Sequence, residues 1–260
     1  MYKKLEGKSA VVTGGSGGIG RGVALAFASE GANVVVNYYP PNYEKAAKEV
    51  VEEIKKRGAK GLAFGADVGK KVEAENLIDS AVNEFGGIDI LVNNAAINRD
   101  AMIHKMTEEE WDAVIETNIK GVFNCIQAAG RYMRKKDLKE GEIGGKIINV
   151  TSRAGVEGSV GQINYSASKA AVIAITKTVA REWGRFKVNC NTVYPSAWTD
   201  MTRRGLTEER KKQWDALSAL PGGITDDPEK DIAPAFVFLA SGDSNYITGQ
   251  FFSVDGGRLI

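Results

Sequence analysis

The stretch Ser9-Ala-Val-Val-Thr-Gly-Gly-Ser-Gly-Gly-Ile-Gly20 reads as a strand, a tight turn and the start of a helix. Ser9 to Thr13 is an apolar run of strand length, five glycines follow between positions 14 and 20, and Arg21 to Ser29 is helical in pattern. That order opens a βαβ unit, and the alternation continues along the chain. Asn33 to Asn37, Ala59 to Phe64, Ile88 to Asn93, Lys146 to Thr151, Lys187 to Val193 and Gln250 to Val254 read as strands. Between them, Tyr43 to Arg57, Lys70 to Phe85, Thr107 to Met133 (one long or broken helix), Ile163 to Trp183 and Pro228 to Ser241 read as helices. In Tyr43 to Arg57, Ala46, Ala47, Val50, Val51 and Ile54 share one face, with lysines and glutamates on the other. Seven strands joined mostly by helices require long crossovers, hence a mainly parallel sheet covered on both faces, and runs such as Val34-Val-Val36 suit strands buried on both sides. The expected fold is a single α/β domain over residues 1–260, doubly wound in the Rossmann manner.

Composition narrows the function classes. Across 260 residues, 34 basic and 33 acidic side chains leave a net charge of +1, so no global field draws the chain to nucleic acid or an anionic membrane. The longest apolar run, Ile232 to Ala240, is interrupted by Pro234 and too short to span a bilayer, and the first residues lack a signal-peptide core; the chain reads as cytoplasmic, with no membrane partner. Cys125 and Cys190 are too few and too far apart for a metal cluster, and His104 has no second histidine, so no metal site is expected and His104 reads as structural. Two segments are irregular: Lys135 to Gly145, and residues 196–223, which follow a strand end where open α/β sheets place their ligands and so read as a substrate lid.

Glycines directly after the first strand let the backbone approach a ligand, and the helix that follows offers unpaired N–H groups to a pyrophosphate. Both Gly15-x-Gly17-x-x-Gly20 and Gly14-x-x-x-Gly18-x-Gly20 fit dinucleotide spacings, and no Gly-Lys-Ser or Gly-Lys-Thr of a Walker loop follows. At the end of the second strand, where a carboxylate would bond the ribose of NAD and repel a 2′-phosphate, the chain has Asn37 followed by Tyr38. NADP(H) is therefore favoured over NAD(H).

Tyr165 and Lys169 lie four apart on one helical face, where a lysine cation would stabilise phenolate and draw its pKa toward the working range; alone, the spacing fits equally a phenol packed on a lysine stem. Thirteen residues earlier, Ser152 ends a strand at the carboxyl edge of the sheet. Asn118 sits within a helix against its propensity, so it either caps a break or uses its amide. With these, Thr13-Gly-Gly-Ser-Gly-Gly-Ile-Gly20, Asp67-Val68, Asn93-Asn-Ala-Ala96 and Asp255-Gly-Gly257 occur in order, and the whole chain resembles the classical short-chain dehydrogenases/reductases.

That resemblance implies Tyr165 as general acid in carbonyl reduction, Lys169 as the group that lowers its pKa and holds the nicotinamide ribose, Ser152 as hydrogen-bond donor to the carbonyl oxygen, and Asn118 as a helix kink holding a relay water. It implies a nicotinamide cofactor held by Gly14, Ser16, Gly18, Ile19 and Gly20, by Asn37 and Tyr38, by Asp67 and Val68, by Asn93 and Ala95, and by Pro195 and Thr199 beside Tyr165 and Lys169. The segment Pro195-Ser-Ala-Trp-Thr199 is one residue shorter than the family's common form, which makes Trp198 a candidate pocket wall. Ile97-Asn-Arg-Asp100 and Lys105 to Trp111 resemble the 3-oxoacyl-(acyl-carrier-protein) and acetoacetyl-CoA reductases, implying an acyl-thioester or other small-molecule substrate, with Arg99, Arg131, Arg181, Arg185, Arg203 and Arg204 as candidate docking cations. The opening residues and Val34 to Tyr38 also resemble glucose dehydrogenases, so aldose oxidation is the alternative; a nucleotide-sensing protein without catalysis is the third reading. The resemblance further implies a homotetramer built on the helices around Asn118 and Tyr165.

Overall fold

A computed structural model describes residues 3–134, 138, 143–203 and 206–259. Most of the irregular segment Lys135 to Gly145, and Arg204, lie outside the described residues. The strands are β1 (Ser9–Val12), β2 (Asn33–Tyr38), β3 (Gly61–Gly65), β4 (Ile90–Asn93), β5 (Gly145–Val150), β6 (Val188–Pro195) and β7 (Phe251–Val254). They form one sheet in the order β3-β2-β1-β4-β5-β6-β7, and every described pairing is parallel. The order reverses at β1, which pairs with both β2 and β4, and a crevice opens there beyond the strand ends.

Period-two alternation sends the side chains of each strand into two separate cores. Ala10, Val12, Val34, Val36, Ile90 and Val92 pack with α1 (Gly18–Ser29), α2 (Glu44–Lys56) and α11 (Ala233–Ala240). Val11, Val35, Leu91 and Ile147 pack on the other face with α3 (Lys71–Phe85), α5 (Gly121–Met133) and α7 (Ile163–Trp183). Ala47, Val50, Val51 and Ile54 of α2 are buried, as the amphipathic pattern required.

Two helical stretches are interrupted, Thr107 to Met133, where the sequence allowed a break, and Pro228 to Ser241, read as one helix. Within Thr107 to Met133, α4 (Glu108–Ile115) starts at a capping box: the Glu110 amide donates to Thr107 Oγ1 at 3.2 Å while the Thr107 amide donates to Glu110 Oε2 at 3.0 Å. A wide π-type turn, Glu116–Lys120, then separates α4 from α5, with Asn118 at its centre. Pro228 to Ser241 divides at Ile232 into α10 (Pro228–Asp231) and α11, with Pro234 in the first turn of α11 where no amide proton is needed. The other helices are α6 (Ala154–Glu157), α8 (Asp200–Arg203) and α9 (Glu208–Asp215).

A charged residue lies inside the sheet. Lys146 of β5 is 1% exposed, its Nζ donates to Ser244 Oγ at 3.0 Å, and burial draws its pKa down to about 8. Between pH 8 and 10.5 the unfolded chain binds more protons at this residue than the folded one, so its destabilising effect fades as pH rises through that window. Lys146→Met keeps the stem and removes the charge, and the Ser244 hydroxyl still donates to Leu239 O. We expect this variant to be more stable at pH 7 by about 1–3 kcal/mol and less steeply stabilised between pH 8 and 10; a lower melting temperature at pH 7 would refute the account.

Candidate active site

The turn after β1 is held by hydrogen bonds from β2 and from the segment after β4. Gly14 and Gly18 adopt φ of +61° and +51°, which a side chain would strain. The Gly14 amide donates to Asn37 Oδ1 at 3.1 Å, and Asn94 Nδ2 donates to Thr13 O at 2.9 Å and Gly14 O at 3.2 Å. Thr13 Oγ1 accepts from the amides of Asn94 and Ala95. The helix that follows has Gly17 as its N-cap, no capping side chain and no acidic residue in its first turn, and a Cβ built at Gly17 meets nothing within 4 Å. The uncapped amides and positive dipole end therefore face open space, the donor set a pyrophosphate needs, so these residues fit a dinucleotide.

The opposite wall comes from β5 and α7. Lys169 is buried, donates from Nζ to Val150 O at 3.0 Å, and sits 5.6 Å from the centroid of the Tyr165 ring. Thr151 Oγ1 donates to Lys169 O and Ser168 Oγ to Tyr165 O, both at 2.7 Å, so both turns of α7 that carry the pair are pinned. Gly155 of α6 lies so close to α7 that a Cβ there would come within 2.6 Å of the Lys169 carbonyl carbon. Desolvation pushes the Tyr165 phenol up to about 12 and outweighs the neighbouring Ser152 hydroxyl, which favours its ionisation. Burial draws Lys169 down to about 8. The expectation that the amine pulls the phenol into the neutral range is thus corrected: both groups lose hydration together, and the phenol stays protonated, the form of a proton donor.

Asn118 is fully buried and its amide is spent within the protein. Its Oδ1 accepts from the Ile97 amide at 2.9 Å, while its Nδ2 donates to Ile97 O at 3.0 Å and to Ser168 Oγ at 3.1 Å. The wide turn therefore ties the segment after β4 to α7.

These parts enclose a cleft of about 810 Å³, in the range of ligand sites. Of the sequence-derived set, Gly14, Ser16, Gly18, Ile19 and Ala95 line it, as do Ser152, Tyr165, Lys169, Pro195 and Thr199. Gly20 supports the turn from beneath. Asn37 is 1% exposed, with Nδ2 donating to Ala66 O at 3.0 Å, so its side chain braces β2 against the turn. The ring of Tyr38 covers Gly65. Asp67 Oδ1 accepts from the Gly69 amide and Val68 packs on Gly121, contacts typical of a turn cap. Asn93 Nδ2 donates to Asn149 Oδ1 at 2.8 Å. His104 is exposed and outside the cleft wall.

Within residues 196–223 two indoles meet. Trp198 is buried, lines the cleft, donates from Nε1 to Asp215 Oδ1 at 3.0 Å, and stacks on Trp214 at 5.9 Å between centroids. Sequence reasoning passed over Asn94, Tyr194, Trp214 and Arg258. Asn94 was legible in type, as neighbour of Asn93, but Arg258 comes from a tail no spacing rule links to the cleft.

Comparisons with known proteins agree with this geometry. A family model described as enoyl-(acyl carrier protein) reductase matches residues 14–258. A 3-oxoacyl-[acyl-carrier-protein] reductase of Staphylococcus epidermidis is 44% identical over 253 residues, 97% of this chain and 99% of that protein. The protein of the same name from Thermotoga maritima is 40% identical over 263 residues, covering 99% of this chain and all of its own. Among solved structures, a short-chain type dehydrogenase/reductase from Mycobacterium marinum matches with a TM-score of 0.87 at 34% identity, covering 99% of this chain and 98% of that one.

Proposed function

This chain belongs to the short-chain dehydrogenase/reductase family and is a nicotinamide-nucleotide-dependent oxidoreductase, and we propose that it reduces the carbonyl of a 3-oxoacyl thioester to the 3-hydroxy form. The observation that carries this reading is the pairing of two hydroxyls, Ser152 and Tyr165, on one wall of a cleft whose other wall is the glycine turn. Two neighbouring hydroxyl donors on one cleft wall suit an oxygen that gains charge and then a proton, which favours a carbonyl over a carbon–carbon double bond as the reducible group.

When bound, the nicotinamide supplies the hydride. Gly14 and Gly18 shape the cradle for its pyrophosphate, and the α1 amides face it. Ser152 stabilises charge on the carbonyl oxygen, and Tyr165 donates its phenolic proton there. Lys169, held by Val150 O, places a cation beside the phenol and offsets the charge left on it. Asn118 keeps Ile97 and Ser168 in place behind this group.

NADP(H) is the favoured cofactor, because no carboxylate ends β2: Asn37 turns inward and Tyr38 covers Gly65, so a 2′-phosphate meets no repulsion there. Exposed Trp111 and Phe123 on α4 and α5 and Ile163 on α7 support a homotetramer built on the helices around Asn118 and Tyr165. One preparation tests the whole reading. Acetoacetyl-CoA should be turned over with NADPH in preference to NADH, glucose should not be oxidised, and light scattering should give the mass of four chains. Turnover of glucose but not of the thioester would replace the substrate assignment.

A further inference from the structure

Of the arginines at or near the cleft, Arg153 and Arg203 are already paired, Arg210 lines the wall as an exposed side chain of α9, and Arg258 enters from the tail. Arg153 Nε bonds Glu157 Oε2 at 2.5 Å, and Arg203 pairs with Asp226. Arg258 differs. The tail folds it into the cleft wall: Asp255, at the end of β7, accepts from the amides of Gly257 and Leu259 at 3.0 and 2.9 Å, and Gly256 and Gly257 take positive φ. Its Nη1 donates to Ser196 Oγ at 2.9 Å, and its guanidinium carbon lies 5.8 Å from the centroid of the Trp214 ring. Among the described residues it has no carboxylate within ion-pair distance, and its Nε is shielded from water without any acceptor. A guanidinium stacked on an indole, anchored by one nitrogen and lacking an acceptor on another, is built to receive an oxyanion on its remaining edge.

Its place relative to the reacting groups follows from Tyr194, at the end of β6. Tyr194 is close enough to Tyr165 to disfavour ionisation of that phenol, and Arg258 is close enough to Tyr194 to favour its ionisation. Tyr194 thus neighbours both the proton donor and Arg258, and all three line the cleft. The negative groups of the wall are Asp100, which opposes ionisation of Tyr165, with Asp200 and the paired Glu157. A substrate anion is repelled from the Asp100 side and drawn toward Arg258.

We propose that Arg258, seated on Trp214 and Ser196, is a specificity-determining residue that binds an anionic group of the substrate. This rests on the carbonyl reduction proposed above and adds to it a required charge. The oxyanion chemistry is shared by a carboxylate on the acyl part and a phosphate on the carrier arm, and a set of three substrates separates them: acetoacetyl-CoA, the uncharged acetoacetyl N-acetylcysteamine thioester, and free acetoacetate, each with NADPH.

In Arg258→Met, the kcat/KM of at least one anionic substrate relative to the uncharged thioester should fall tenfold or more, chiefly through KM, and Arg258→Lys should recover part of it. A change confined to the CoA thioester assigns the anion to the carrier phosphate, and a change with acetoacetate assigns it to a carboxylate. An equal change on all three substrates, or none, overturns the proposal. If the unaltered enzyme reduces none of the three, the carbonyl-reductase reading fails separately. The subsite is then read by calorimetry of malonate binding to the nucleotide-loaded protein: a tenfold weaker Kd in Arg258→Met upholds it, and equal or absent binding in both proteins rejects it.

Discussion

Tyr165→Phe should lower kcat for thioester reduction by about 10²–10⁴-fold, the range a positioned proton donor contributes. The substitution removes one oxygen. The main-chain bond from Ser168 Oγ to Tyr165 O, the Lys169 bond to Val150 O and the glycine turn do not involve that oxygen, so the loss should fall on kcat, with nucleotide affinity changed by no more than a few-fold. Desolvation holds the phenol at about 12 and the lysine at about 8, so across the neutral range the phenol is protonated and ready to donate while the lysine is charged. The reduction rate is then flat below pH 8 and declines above it, as the amine loses the proton that offsets charge on the departing phenolate. Stopped-flow measurement of nucleotide oxidation checks both statements. Unimpaired kcat in Tyr165→Phe, or a rate that climbs steadily from pH 7 to 10, would remove Tyr165 from the role of donor.

The parts of this molecule that were readable in its sequence are those set by local pattern. Strand runs, the amphipathic face of α2 and the helical spacing of Tyr165 and Lys169 depend on neighbours one to four residues away, and each occurs where the pattern puts it. What was not readable depends on which way a polar side chain turns once the sheet has formed. Asn93 and Asn94 are the same residue type in adjacent positions, yet the first, the last residue of β4, bonds Asn149 inside the sheet and the second, just beyond the strand, locks the glycine turn. Asn37 has the position of a ribose ligand, but Ala66 O and the Gly14 amide lie within its reach and claim its amide. The phenol's ionisation was misjudged for a related reason: sequence shows that a cation is near, whereas desolvation, the larger effect here, is a property of everything packed around the pair. Arg258 lies 93 residues beyond Tyr165 and enters the cleft only through the β7 tail.

The second large effect is expected at Gly20, which has ordinary helical backbone and no contact with the cleft. A Cβ at this position would fall well inside contact distance of Gly14 O and 2.6 Å from Asn94 Nδ2, the two partners whose hydrogen bond closes the turn. The helix cannot relieve the clash by moving away, because a Cβ at Gly22, two residues further along α1, would lie only 2.8 Å from the Glu229 amide nitrogen of α10. The turn must give instead, and Gly14 is held at a φ of +61° by the very bonds that would be lost. Gly20→Ala should therefore cost about 1–3 kcal/mol, felt as a lower melting temperature and as nucleotide binding weakened roughly 10- to 100-fold. Gly17→Ala supplies the contrast, since its Cβ meets no protein atom within 4 Å and its φ of −158° is open to any residue. That variant should melt like the parent, so any weakening of binding reports crowding of the phosphates alone. Fluorescence titration with NADPH and thermal melting of both variants decide the matter. A Gly20→Ala protein with parental melting and affinity within twofold would mean that the turn tolerates the methyl group and that its closure does not govern binding.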